Sequence, residues 1–240
     1  GLWPSYVVLG EPTNLDVALG HRGRVEVRVS VEGRACHASA PERGENALYA
    51  AARLIFGIEL LAGQLAEDPV LGKGTIAVTE LTNAAGGRNV IPDLCELVID
   101  RRLTLGETTE RALSEIRQMM QRENVRGAAR IADYAVTSYT GYVARGQEYY
   151  PPWLMAEDAP LVKMTAKAVE RALGARPRLK PWAFSTDGAY TRGVAGIPTV
   201  GFGPGEERFA HTVDEQIRLA DVLLAASGYA HIALEVLGKR

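Results

Sequence analysis

Three segments far apart in the chain carry residues of the types that hold metal ions. Glu11 stands in Gly10-Glu11-Pro12-Thr13, directly after the apolar run Tyr6-Val7-Val8-Leu9. His211 follows the glycine-rich stretch Gly201-Phe202-Gly203-Pro204-Gly205 and precedes Thr212-Val213-Asp214-Glu215. His37 lies among small residues in Gly33-Arg34-Ala35-Cys36-His37-Ala38-Ser39-Ala40-Pro41. Carboxylates and imidazoles are good zinc ligands, but a catalytic zinc takes about three of them from the protein. The sequence therefore spells part of a metal site, of the kind that polarises a carbonyl and activates water. Each residue also has a plainer reading, Glu11 as a solvated turn residue and a lone His as a structural one.

Further polar groups stand where a substrate could be held. Asn89 lies in the loop Gly86-Gly87-Arg88-Asn89-Val90-Ile91-Pro92. Arg102 ends an apolar strand, where a guanidinium could grip a carboxylate with two hydrogen bonds, or stay a solvated charge. Ser185-Thr186-Asp187-Gly188 is a hydroxyl-rich turn that could bind an anion or simply close on its own backbone. His21 and His231 read as structural.

The elements that must position these groups follow from periodicity. Tyr6-Val7-Val8-Leu9 reads as a fully buried strand with a carboxylate at its carboxyl end, a usual place for a ligand. Val25, Val27, Val29 and Val31 alternate with Glu26, Arg28, Ser30 and Glu32, which predicts a strand with one wet face. A helix is predicted over 45–65 from the stripe Leu48, Ala51, Ile55, Ile58, Ala62 and Leu65. Strands over 75–81 and 94–102 follow. A capping-box spacing at Thr104 and Glu107 opens a helix to about 123, and a strand spans 128–136. This order, β-α-β-β-α-β, is the ferredoxin-like split unit and occupies 20–137. Residues 138–160 read as a long loop and 157–173 as a helix. A short buried strand covers 198–202, and the capping-box spacing at Thr212 and Glu215 opens a helix to about 237. Residues 1–19 and 138–240 thus form pieces of one α/β domain, with the other module inserted between them. A chain that opens on Gly1 and reaches a buried strand within a few residues reads as part of a longer protein.

Composition narrows the class. At 240 residues, 47% apolar and 23% charged, the chain has the balance of a globular protein. A net charge of −2 offers no electrostatic case for nucleic acid or an anionic membrane. The longest uncharged apolar stretches are too short to span a bilayer. Two cysteines, Cys36 and Cys95, argue against a disulfide framework and suit a cytoplasmic location.

Taken jointly, the segments resemble the co-catalytic zinc hydrolases that include acetylornithine deacetylase, succinyl-diaminopimelate desuccinylase and carboxypeptidase G. The matching runs are Gly10 to Thr13, Gly33 to Asn46, Asn89 to Pro92, Asp100 to Arg102, Ser185 to Gly188 and Gly201 to Glu215, in the family's order. The resemblance implies a zinc-peptidase α/β domain carrying an inserted dimerisation, or lid, domain that pairs subunits into a homodimer. It assigns Glu11 and His211 as terminal ligands, one to each of two zinc ions, and cobalt or manganese would suit such ligands as well. His37 would reach into the partner subunit's site and stabilise the oxyanion. Asn89, Arg102, Ser185 and Thr186 would hold an N-acyl amino acid or small peptide whose amide bond is hydrolysed. In this family a His-x-Asp motif, a bridging Asp and a Glu-Glu pair precede the Gly-Glu-Pro segment, and none occurs in this sequence. Each zinc is then left with one ligand and the general base is missing. The chain by itself is expected to be inactive, with two alternatives: a non-catalytic dimerisation or binding module, or one half of a two-chain enzyme.

Overall fold

The computed structural model describes residues 3–238, so positions 1–2 and 239–240 of the expected terminal segments lie outside the described residues. In chain order the first half holds β1 (Val7–Leu9), β2 (Val17–His21), β3 (Gly23–Glu32), β4 (Cys36–His37), α1 (Ala47–Ala62), β5 (Glu67–Asp68), β6 (Gly72–Lys73), β7 (Thr75–Asn83), β8 (Val90–Ile91) and β9 (Leu94–Leu103). The second half holds α2 (Thr109–Arg122), β10 (Gly127–Ile131), β11 (Asp133–Thr137), β12 (Val143–Gln147), β13 (Tyr149–Tyr150), β14 (Trp153–Leu154), α3 (Pro160–Leu173), β15 (Leu179–Trp182), β16 (Thr199–Phe202) and α4 (Leu219–Leu237). The chain divides into two compact units. Unit one comprises the residues up to Gly23, Pro69–Leu71 and everything from Tyr150 onward; unit two comprises Arg24–Asp68 and Gly72–Tyr149.

Unit two is built on a sheet of order β10-β3-β9-β7, with β10 antiparallel to β3 and β7 antiparallel to β9. The valine alternation is realised: Val25, Val27, Val29 and Val31 are all buried. They join Leu97 and Ile99 of β9, Leu54 and Ile58 of α1, and Ile116 of α2 in one core. Each such side chain stabilises the fold by about 1.5–3 kcal/mol relative to leaving it in water. Helix α1 starts at Ala47 because Asn46 caps it, its side chain accepting the Leu48 amide at 2.9 Å.

Two details of unit two differ from the sequence reading. Helix α2 begins at Thr109 and is capped by Thr108, not by Thr104. Glu107 is instead drawn inward, where it accepts from the Thr104 amide at 2.8 Å and from the fully buried guanidinium of Arg101. An interior arginine needs a carboxylate, and that demand overrides the capping pattern. The strand expected over 128–136 breaks at Ala132. Beyond it the Glu26 amide bonds to Glu148, so β3 has no further room, and β11 turns out to pair with β12 as a two-stranded ribbon. The segment expected as loop therefore begins with a hairpin.

Unit one is a mixed sheet of order β1-β16-β2-β14, with β15 also paired to β2. β1 and β16 run parallel, with Val7 opposite Thr199 and Leu9 opposite Gly201. Trp153, Trp182, Phe202, Leu161 and Val169 fill its core. Gly201 is required by that packing, since a Cβ there would lie 1.9 Å from the Trp182 ring. Gly228 of α4 similarly admits the Phe202 ring. Helices α3 and α4 are tied together by Glu235, which pairs with Lys167 at 3.0 Å and Arg171 at 2.8 Å.

α4 corrects the sequence reading at its start. It begins at Leu219, with Arg218 at its N-cap, so Thr212 and Glu215 form a turn ahead of it and not its start. It is also 19 residues long with a mean hydropathy of 1.4, long and apolar enough by length and composition to cross a membrane. The sequence reading considered only uncharged stretches, and Asp221 and Glu235 interrupt this one. Both carboxylates are engaged in ion pairs, and Ala225 and Ile232 join the unit-one core, while Leu223 and Leu234 are exposed.

Candidate functional site

In unit one, the parallel pairing of β1 and β16 delivers two segments to the same end of neighbouring strands. Glu11 follows β1, and the loop carrying His211 follows β16. The backbones touch there: a Cβ on Gly203 would lie 2.4 Å from the Glu11 carbonyl oxygen. Thr13 locks this junction, its hydroxyl donating to a neighbouring carbonyl while its Oγ1 accepts the Gly203 amide at 3.1 Å. An open cleft of about 350 Å³ is lined by Gly10 and Pro12, which flank Glu11, and by Ala210, which precedes His211. Chain neighbours of both expected ligands thus line one cleft, while the lining includes neither Glu11 nor His211 itself. Glu11 is half-buried, and its charge bears on Tyr229. Burial first, and then the Glu11 carboxylate, push the Tyr229 phenol above its ordinary pKa. His211 is exposed and adopts a left-handed backbone with φ of 62°, its amide donating to Glu215 at 3.3 Å. A non-glycine residue in that region is uncommon, though histidine is among those that adopt it, as Asn14, Leu15 and Asn124 also do in this chain.

These two residues do not complete a metal centre. Among the described residues no three His, Cys, Asp or Glu side chains are grouped to hold an ion. Since a catalytic zinc takes about three protein ligands, the donor set present here does not by itself fit one.

The turn at Ser185 also belongs to unit one. Thr186 is buried, and its Oγ1 accepts the Gly188 amide at 3.1 Å, the local hydroxyl turn that the sequence allowed. The hydroxyl keeps its own proton to donate. Ser185 Oγ donates to the Arg22 carbonyl at 3.3 Å.

In unit two, the short strands β4 and β8 pair antiparallel, with His37 opposite Val90. Asn89 immediately precedes that pairing, and its carbonyl accepts the Ala38 amide at 2.8 Å. Two residues 52 positions apart are so brought side by side, the Asn89 carboxamide 3.5 Å from His37 Nε2. The Ser39 amide donates to His37 Nδ1 at 3.1 Å, and Ser39 Oγ lies 2.7 Å from the same nitrogen. The group facing Nε2 is the Asn89 Nδ2 amino group, a donor, so Asn89 asks Nε2 to accept while the Ser39 amide asks the same of Nδ1, and a neutral ring accepts at only one of the two. The exposed imidazole thus stands beside an amide, where a ring protonated on Nε2 would offer the donor that a developing oxyanion requires.

Arg102 is not brought to His37. Its Nε donates to Asp100 at 2.7 Å, and Asp100 also receives Arg24 at 2.7 Å. Burial pushes the Asp100 carboxyl up, but the hydrogen bonds from Arg24 and Arg102 outweigh it and hold the group below the usual carboxylate range. Arg102 Nη2 also donates to Asp100 at 3.3 Å, so the guanidinium is held by that carboxylate through two nitrogens. Asp100 and Ser39 were absent from the sequence reading of the site. The signal for Asp100 was its i, i+2 spacing to Arg102, which puts both on one strand face.

Known proteins resemble this chain in sequence and in fold. The peptidase dimerisation domain of the M20 family matches residues 19–128. The protein YgeY of Escherichia coli K12 is 40% identical over 234 residues, covering 98% of this chain and 58% of YgeY. Succinyl-diaminopimelate desuccinylase 2 of Ruegeria sp. is 26% identical over 242 residues, covering 98% of this chain and 56% of that protein. The solved M20 family metallo-carboxypeptidase of Sulfolobus solfataricus superposes with a TM-score of 0.69 at 14% identity, over 96% of this chain and 63% of that one. The chain spans a little over half the length of the relatives it matches.

Proposed function

We propose that this chain, whose residues 19–128 match the peptidase dimerisation domain of the M20 family, is part of a metal-dependent amidohydrolase of that family. Its substrate is an N-acyl amino acid or a small peptide, and the bond broken is the amide. The observation that carries this reading is the pairing of His37 with Asn89, an imidazole and an amide held 3.5 Å apart on the exposed β4–β8 ladder.

In this reading unit two is a ferredoxin-like module, inserted into an α/β catalytic domain, that pairs two copies of the protein. Its strand, helix, strand, strand, helix, strand sequence (β3, α1, β7, β9, α2, β10) supports that arrangement. His37 serves the partner subunit's site by donating from Nε2 to the carbonyl oxygen as negative charge develops on it. Asn89 steadies the acyl group, and Arg102, Ser185 and Thr186 receive the substrate's carboxylate. Glu11 and His211 each supply one ligand to a pair of divalent ions, zinc by preference, with the other ligands coming from residues outside these 240.

The test is His37→Ala in the protein that carries this chain, assayed on a panel of N-acyl amino acids and dipeptides. Loss of one oxyanion donor lowers kcat by about 10²–10³ and leaves KM nearly unchanged. Full activity in the variant would remove His37 from the mechanism.

One observation favours a second reading for the chain in isolation. Because no three-ligand group is present among the described residues, the 240 residues alone would bind and dimerise without hydrolysis. Metal content per chain after dialysis separates the two readings: near zero supports the binding module, and near two supports a completed site.

A further inference from the structure

We infer that His21 is a positioning residue for the turn Ser185–Gly188; this rests on the reading above, in which that turn receives the substrate's carboxylate. His21 ends β2, is fully buried, and stands 165 residues from the turn it contacts. The Thr186 amide donates to His21 Nε2 at 3.0 Å. The other ring nitrogen, Nδ1, lies 2.8 Å from the Arg22 carbonyl, a contact that only an N–H can make. The proton of the neutral imidazole therefore sits on Nδ1, and Nε2 is left as the acceptor that the Thr186 amide needs. The 3.3 Å approach of Nε2 to the Thr186 carbonyl is then a neighbour contact and not a bond.

The ring is itself held. Trp153 meets it edge-on, with centroids 5.4 Å apart and planes at 78°. The same strand end also anchors the turn through Ser185, whose hydroxyl donates to the Arg22 carbonyl. β2 thus dictates the turn through one acceptor on the imidazole and one on the backbone. Gly188 fits only because it lacks a side chain, since a Cβ there would lie 2.4 Å from the Trp153 ring. Removing the acceptor while keeping the ring volume strands the Thr186 N–H in a buried place, which costs more than a missing surface bond. The turn must then rearrange to satisfy it, and the Thr186 hydroxyl moves with it.

The experiment compares His21→Phe, which keeps the ring and loses the acceptor, with His21→Gln, whose Oε1 can stand where Nε2 stands. Amide hydrogen exchange in the segment containing Thr186 and KM for a carboxylate-bearing substrate are both read. For H21F the expectation is at least tenfold faster exchange and a KM raised about tenfold, with kcat within threefold. For H21Q both stay within threefold of the parent, and a substrate whose carboxylate is replaced by a carboxamide is insensitive to either change. Unaltered exchange and KM in H21F would overturn the inference, as would a fall in kcat with KM unmoved. If H21F does not fold, His21→Asn, which ends its acceptor one bond short, carries the same expectation. If no substrate is hydrolysed at all, the hydrolase reading is lost, while the exchange comparison still decides whether His21 holds the turn.

Discussion

The two units solve the same problem, holding polar groups at fixed places, by opposite means. In unit two His37 and Asn89 sit at short strands joined by their own ladder, with Ser39 bonded to the imidazole and Asn89 beside it. In unit one, Glu11 and His211 emerge on loops from the ends of β1 and β16, and the rigidity lies behind them in the Trp153, Trp182 and Phe202 core. The difference teaches where damage would be felt. A change in the unit-two core should leave the Glu11 and His211 cleft intact, and a change behind β16 should leave the His37 and Asn89 pair intact.

The largest expected effect comes from the buried ion pair of unit two. Glu107→Ala leaves the interior guanidinium of Arg101 with Glu115, at 3.4 Å, as its paired carboxylate and with the Arg102 and Thr75 carbonyls as its other acceptors, and stability should fall by about 3–5 kcal/mol. Chemical denaturation followed by hydrogen exchange should show the loss in unit two, and equal loss of protection in β16 would break the comparison. A smaller effect is expected behind the unit-one cleft. Gly201→Ala drives a methyl into the Trp182 ring and should cost about 1–3 kcal/mol. Fluorescence from Trp182 and Trp153 should report it, and an unchanged denaturation midpoint would mean that the indole yields freely.

The smallest effect concerns pH. The Asp100 carboxyl is held below its ordinary range, so the folded state binds its proton less readily than the unfolded chain. The stability it contributes is complete above the ordinary carboxylate pKa, near 4, and is lost as pH falls through the lowered folded value. Unit two should therefore weaken in acid, and Asp100→Asn should flatten that part of the pH profile. A variant with the same acid dependence as the parent would show that the Arg24 and Arg102 contacts carry no linkage.

Legibility in the sequence followed the range of the interaction. Valine alternation in β3 is a local period, and the strand appears as read. The wording around His37 and Asn89 likewise led to two segments that do meet. What stayed hidden depended on distant partners. Glu107 looks like a capping residue until Arg101 is known to be buried. The break at Ala132 is invisible until Glu148 is seen to occupy the next place on β3. His21 carries no local signal for its role, because its partner is 165 residues away. Arg102 could be read as a carboxylate grip, yet its nearest carboxylate is its own neighbour, Asp100.

The ribbon of β11 and β12 bears on how such a protein can diversify. It lies beyond the residues that match the dimerisation domain, and its turn closes on itself: the Ser138 amide donates to the Tyr142 carbonyl and the Gly141 amide to that of Ser138. Tyr139 at its tip is fully exposed. Residues inserted between Thr140 and Gly141 would lengthen a loop without unpairing the main sheet or opening either core. Exposed tips of this kind are where added segments are best tolerated, so the ribbon is a ready graft point from which lineages could acquire new surfaces while the rest of the fold stays as it is.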